Sequence, residues 1–199
     1  MARSAVEPAF RDPPLDAQAV FRAVMQAMAR PGRIEKLMTS FTAPTPLGPA
    51  AAAILLALAD YETAIWLDAE LSKAAAVSEF LRFHTGAKLV SDPEQAGFAV
   101  LADPPSAPPL SGFAQGTPDY PDRSTTVVFQ VRQLASEGWR LAGPGIAGET
   151  AFSAAPLPED FARLLAANRA RFPQGVDVIF AAPDAIAALP RSTRIVEAR

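Results

Sequence analysis

The chain contains one histidine, His84, set in Leu81-Arg82-Phe83-His84-Thr85-Gly86. An imidazole can work as a general acid or base near neutral pH, and a neighbouring Arg82 can hold an anion through its planar guanidinium. The same spacing carries a structural reading. Val77, Phe80, Leu81 and His84 stand at i, i+3, i+4 and i+7, which puts His84 on the apolar face of a helix. A neutral imidazole there is usually a core residue hydrogen-bonded to a neighbour. Arg82 points off that face and has Glu79 within one turn as an ion-pair partner. Gly86 supplies the left-handed residue that ends a helix. Arg82, His84 and Thr85 therefore stand where a helix gives way to a strand, a common ligand position in α/β proteins.

Two more segments offer polar chemistry. Gly143-Pro144-Gly145-Ile146-Ala147-Gly148 matches G-x-G-x-x-G after an extended run. Dinucleotide binding needs a helix to open at once, with an acidic residue about 20 positions on. Here Glu149 to Ser153 reads as extended, Pro156 and Pro158 delay the next helix, and Leu164 to Asn168 holds no acid. The dinucleotide reading is rejected, and Gly143 and Gly145 remain as a turn with free backbone amides. Arg191-Ser192-Thr193-Arg194 offers two guanidiniums and two hydroxyls. Arg191 and Thr193 are candidate phosphate ligands; the competing reading is an exposed loop before an edge strand.

The missing residues narrow the chemistry. There is no cysteine, which excludes thiolate nucleophiles, disulfides and cysteine-ligated metal centres within the chain. One histidine excludes a His-rich metal site. Neither a G-x-x-x-x-G-K-[ST] loop nor a G-x-S-x-G elbow occurs. The three lysines, Lys36, Lys73 and Lys88, have no context that suggests a Schiff base. No cofactor or metal is expected.

These residues need a scaffold, and 199 residues with half of them hydrophobic suffice for one domain with a sizeable core. A net charge of -3 gives no global field for nucleic acid. The most apolar window, Ala50 to Ala59, is too short to span a bilayer, which takes about 20 residues. No apolar run follows Met1, so no secretory leader is expected, and the chain is expected to be soluble and cytoplasmic.

In chain order, residues 1–15 read as an N-terminal arm and 16–199 as a single α/β domain. Asp12 or Asp16 can cap a first helix that begins near Pro13-Pro14, with Val20, Phe21, Val24, Met25 and Met28 as its apolar stripe. Arg33 to Leu37 is extended. Leu47 to Ala59 is apolar on nearly every side, as in a helix buried in its domain or covered by another subunit. Strands are expected at Thr63–Leu67, Lys88–Val90, Gly97–Leu101 and Thr125–Val131. Ser72 is a candidate cap for the helix that carries His84. Asp103 to Pro109, with four prolines, reads as an irregular surface or contact loop. Ser136-Glu137-Gly138 reads as a hairpin turn before a strand at Trp139–Ala142. A helix beginning near Pro158, a strand at Val176–Ala181, a short helix at Asp184–Ala188 and a strand at Thr193–Val196 complete the chain. The alternation favours a three-layer αβα domain with a mixed, mostly parallel sheet.

Several segments taken together resemble one family: FRAVMQAMARPG at 21–32, LLALADYETAIWL at 55–67, LRFHTGAKLVSDPEQAGFAVL at 81–101, GPGI at 143–146, FPQGVDVIF at 172–180 and LPRSTRI at 189–195. In this order and spacing the chain is similar to the PhnH subunits of the bacterial carbon–phosphorus lyase system, over residues 16 to 196. The resemblance implies a role in phosphonate breakdown, within a core complex with G, I and J subunits. It implies support for a step in which a phosphonate displaces adenine from ATP to give a ribose 1-phosphonate 5-triphosphate, with the I subunit carrying that chemistry. It implies a later radical cleavage on the J subunit. It also implies a fold reduced from the pyridoxal-dependent transferases, without the cofactor, and a homodimer when isolated. The family transfers no catalytic residue. Arg82, Thr85, Gly143, Gly145, Arg191 and Thr193 are accordingly candidates for an anionic phosphonate or nucleotide ligand, and His84 for acid/base chemistry.

Overall fold

The computed structural model describes residues 9–197. The first eight residues of the expected arm lie outside it. The rest of that arm is built into the fold, since Ala9 and Phe10 are buried and Pro13 already starts the first helix.

Helix α1 (Pro13–Ala29) is capped by Asp12, whose carboxylate accepts from the Leu15 N–H. Proline in the first turn costs nothing, because those amides have no helical partner. Val20, Val24 and Ala27 turn inward, whereas Phe21 and Met25, expected in the same stripe, are 48% and 52% exposed. After a short strand β1 (Glu35–Lys36) comes helix α2 (Pro49–Leu58), with Ala50 to Leu55 all buried. It is covered from within the chain, by α1 and by a later helix, α4 (Ala75–Thr85). Its run of four alanines leaves little side chain in the way, so neighbouring elements can approach closely.

The central sheet follows: β2 (Ala64–Leu67), β3 (Lys88–Val90), β4 (Phe98–Leu101), β5 (Thr126–Gln130), β8 (Asp177–Ala181) and β9 (Ala185–Leu189) join β1 in the order β1-β9-β8-β5-β4-β2-β3. Pairings from β3 through β8 are parallel, and β9 returns antiparallel between β8 and β1. Strand periodicity divides the core into two. Val100, Val128 and Ile179 face α1, α2 and α4. Val127, Phe129, Val178 and Phe180 face the opposite side.

That opposite side is not a simple helical layer. A second, antiparallel sheet, β10-β6-β7, covers it together with helix α5 (Phe161–Arg169). Its strands are β6 (Gln133–Ala142), β7 (Thr150–Ala155) and β10 (Arg194–Glu197). Phe152 and Leu141 from this sheet meet Phe161 and Leu165 from α5 over Phe129 and Phe180. The architecture is thus α/β with a mixed, mostly parallel sheet, and one outer layer is itself half β.

Four expectations are corrected. Asp184–Ala188 is not a helix; Ala185 to Leu189 form β9, because pairing with β8 from Val178↔Leu189 to Ala181↔Ile186 outweighs the helical preference of alanine. Ser136-Glu137-Gly138 is not a turn. It bulges out of β6 between Ala135 and Trp139, with Gly138 at φ +94°, and the hairpin reverses instead between Ala142 and Thr150. Ser72 does not cap the His84 helix. Asp68 caps the short helix α3 (Ala69–Lys73), and α4 (Ala75–Thr85) starts after it without a side-chain cap. The proline-rich segment is not wholly irregular, since Pro104–Ser106 makes a 3-10 turn that buries Pro104.

Asp68 does more than cap α3. The chain passes from β2 to β3 on one side of the sheet and then to β4 on the other, so the carboxyl ends of β2 and β4 form a topological switch point. The buried Asp68 carboxylate fills it, accepting from the Leu71 N–H at 2.9 Å, the Ala102 N–H at 2.7 Å and the Asp103 N–H at 3.0 Å. Replacing Asp68 by Ala strands these donors. We expect Asp68→Ala to lower unfolding free energy by roughly 3 kcal/mol in urea titrations, and Asp68→Asn to lose less because its amide oxygen still accepts.

Candidate functional site

The polar candidates fall into three places. At the end of α4, His84 is half-buried between Phe80, at 4.5 Å between ring centroids, and Phe83, at 5.0 Å. The aromatic row continues through Phe41 to Phe10. Among the described residues, the His84 Nε2 is shut off from solvent without a hydrogen-bond partner. The imidazole is therefore held by tilted and edge-on aromatic contacts, not by the hydrogen bond expected of a core histidine. Burial pushes its pKa below the ordinary 6.5, so the ring is neutral at pH 7. Thr85 is a structural cap. Its hydroxyl donates to the Leu81 carbonyl at 2.7 Å and accepts from the Ala87 N–H at 3.0 Å, while Gly86 at φ +70° turns the chain out of the helix.

Arg82, on the same helix, is exposed, and the expected pair with Glu79 is absent from the ion pairs of the described residues. It lines a crevice of about 490 Å³ with Trp66, Ser72, Ser78 and Ser91. His84 does not line it.

The second place is the turn from β6 to β7. Gly145 has φ +83°, and a Cβ there would lie 2.1 Å from the Ala29 carbonyl at the end of α1. A Cβ at Gly143 would lie 3.1 Å from the Ser192 carbonyl. These glycines let backbone meet backbone. Thr193 packs beside Gly143, buried, with its hydroxyl unpartnered among the described residues. The structure brings Gly143 and Thr193 together, but in a closed contact.

The third place belongs to Arg191, whose guanidinium is spent on the fold. Nε donates to the Asp177 carboxylate at 3.1 Å, Nη2 to the same carboxylate and to the Ser124 hydroxyl at 2.6 Å, and Nη1 to the Pro121 carbonyl. The Asp177 carboxylate also accepts from the Arg191 N–H at 2.8 Å. The side chain is only 13% exposed. Arg191 clamps the 117–124 segment to the start of β8, and with a fifth bond from Nη1 to the Pro173 carbonyl at 3.5 Å no donor is left for a ligand.

Arg82 and Arg191 cannot share a substrate. Asp177 opens β8 at the amino edge of the parallel strands, whereas the crevice of Arg82 borders Leu67 and Val90 at their carboxyl ends. β8 and β3 are four places apart, about 19 Å at the usual strand spacing. Sequence reasoning missed Asp68, Asp177 and the crevice residues Trp66, Ser78 and Ser91. Asp68 had a readable signal, an aspartate three residues before an apolar Leu71. Ser78 and Arg82 had another, their i, i+4 spacing.

Among the described residues no three His, Cys, Asp or Glu side chains are grouped to hold a metal. No described helix is long and apolar enough to cross a membrane. All three lysines are exposed, so none has the desolvated setting of a Schiff-base lysine, and the residues present do not fit pyridoxal phosphate.

These features define a class: a mixed-sheet α/β protein in which Asp68, Asp177 and Arg191 serve the fold and an open crevice carrying Arg82 lies beside the switch point. The chain belongs to the bacterial phosphonate metabolism protein (PhnH) family, whose model matches residues 8–196. It is similar to the alpha-D-ribose 1-methylphosphonate 5-triphosphate synthase subunit PhnH of Rhizobium meliloti (strain 1021), with 42% identity over 189 residues that cover 94% of each chain.

His84 gives a pH test. A histidine whose folded pKa is depressed costs nothing above its unfolded value. It removes stability as pH falls below about 6.5, where the unfolded chain takes up the proton first. Thermal melts between about pH 8 and pH 5.5 should show the wild type losing more stability than His84→Gln over the acid half of that range. Parallel curves would show that the imidazole titrates freely.

Proposed function

We propose that this chain is an accessory subunit of a synthase that makes alpha-D-ribose 1-methylphosphonate 5-triphosphate from ATP and methylphosphonate by displacement of adenine, in phosphonate catabolism. The observation that carries the reading is the synthase-subunit relative, alike over 94% of both chains. The side-chain inventory supports a helper role. His84 is neutral and packed against two rings, Arg191 is locked to Asp177, and Thr85 caps a helix. A displacement reaction needs preorganised charge at the developing anion, and neither His84 nor Arg191 is free to supply it.

In this reading the chemistry belongs to partner chains, the G, I and J subunits of a carbon–phosphorus lyase core complex in the cytoplasm, and the isolated chain is a homodimer. Residues 16–199, with the arm from Ala9 packed onto them, act as one unit. An exposed apolar face supports assembly: Leu15, Phe21 and Met25 of α1 are 63%, 48% and 52% exposed. Scattered apolar residues are ordinary on a surface, but several on one face of one helix suit a partner. The mixed seven-stranded sheet supports kinship with the pyridoxal-dependent transferases, as a form that has lost the cofactor lysine.

The decisive experiment is co-expression with the G, I and J subunits. A stable co-eluting species is expected, with synthase activity only in the assembly. Turnover of ATP and methylphosphonate by the isolated chain at a useful rate would overturn the accessory role. Phe21→Glu with Met25→Glu should abolish co-elution or self-association while changing folding stability by less than about 1 kcal/mol, as for exposed sites.

A further inference from the structure

Two crevices meet at the carboxyl end of β2 and share Trp66 and Ala69. On one side of Trp66 stand Arg82, Ser72, Ser78 and Ser91 around about 490 Å³. On the other side stand Glu70, Lys73 and Asp103 beside about 570 Å³. Each volume is within the range of small-ligand sites. The indole between them is fixed from behind, edge-on against the buried Phe113 at 5.6 Å.

Four features point to a ligand here. The second crevice lies at the switch between β2 and β4, where open α/β sheets take ligands, and the Arg82 crevice adjoins it at the ends of β2 and β3. The cleft between these strands is already filled by the Asp68 carboxylate, which holds the amides an incoming anion would use; a ligand must therefore lie outside it, along Trp66. Arg82 has no ion pair among the described residues, and Ser78 is one turn before it on the same helix. A guanidinium beside hydroxyls from three separate segments suits the oxygens of a phosphoryl or phosphonyl group. Across the indole, the exposed carboxylates of Glu70 and Asp103 suit the hydroxyls of a sugar, as acidic side chains do with ribose elsewhere.

We propose that the paired crevices bind a sugar phosphate or sugar phosphonate, with the anionic group on Arg82 and Ser78 and the sugar hydroxyls on Asp103 and Glu70. This deepens the accessory role above and rests on it for the choice of a pentose. The subunit would hold the anionic sugar intermediate between steps carried out by its partners.

The test titrates the full chain, alone and assembled with its partner subunits, with ribose 5-phosphate, ribose and inorganic phosphate, followed by calorimetry and tryptophan fluorescence. Ribose 5-phosphate should bind more tightly than either fragment. Arg82→Gln should weaken it at least about tenfold, the loss of a charge-assisted contact. Asp103→Asn should weaken ribose 5-phosphate and leave inorganic phosphate unchanged. Both residues are exposed, so both variants should melt and co-elute as wild type. No binding at about 1 mM ligand in either state, or binding indifferent to Arg82→Gln, overturns the site. Equal affinity for ribose 5-phosphate and inorganic phosphate overturns the sugar half. A wild-type chain that co-elutes with partners but binds no probe loses this inference alone; one that binds the probe but never co-elutes loses the accessory role alone.

Discussion

The Asp68 carboxylate is the constraint on which the site depends. Parallel strands that diverge at a switch point leave backbone N–H groups pointing into a cleft, and buried donors without partners are costly. Many α/β proteins let a ligand anion satisfy them. Here a side chain does so permanently, tying the cap of α3 to the exit of β4. The cleft is closed without a ligand, so the fold is complete before anything binds. What remains for recognition is the shoulder on either side of Trp66, open to solvent.

A similar trade recurs at the other edge of the sheet. Arg191 and Asp177 form a nearly buried ion pair whose remaining donors go to the Pro121 carbonyl and the Ser124 hydroxyl. Burying two charges is tolerable when geometry and further hydrogen bonds satisfy them, and the result pins a long segment without regular structure to β8. The same satisfaction removes Arg191 from chemistry. The glycine turn follows this logic with backbone in place of charge: Gly145 lets the β6–β7 turn touch the end of α1. Residues that look reactive in a linear reading are the ones that hold non-adjacent segments together. This division of labour supports the accessory role proposed above, and it leaves an apolar helix face and the Arg82 crevice open.

Much of the fold was legible because strands and helices write their periods into the chain. The apolar runs at 97–101 and 125–131 read correctly as strands, the bare apolar stretch at 47–59 as a helix with no polar face, and Gly86 as a helix end. The failures share one cause. Ala185–Leu189 is alanine-rich and prefers a helix locally, yet it lies beside β8, where cross-strand pairing decides. Gly138 signals a backbone reversal, but its φ of +94° serves a bulge in a continuous strand. Phe21 and Met25 obey the helical stripe, yet the core takes its neighbours Val20 and Val24.

The α/β class, the lack of cysteine and of nucleotide loops, the family and most of the elements could be read along the chain, because composition, motif spacing and periodicity are linear properties. Which polar groups are free became visible once the segments had packed together. Whether Arg191 or Arg82 can meet a ligand depends on distant partners: Asp177, Pro121 and Ser124 for Arg191, and for Arg82 no ion pair among the described residues. Hydrogen-bond satisfaction is settled between segments that lie far apart along the chain, and spacing within one segment carries no record of it.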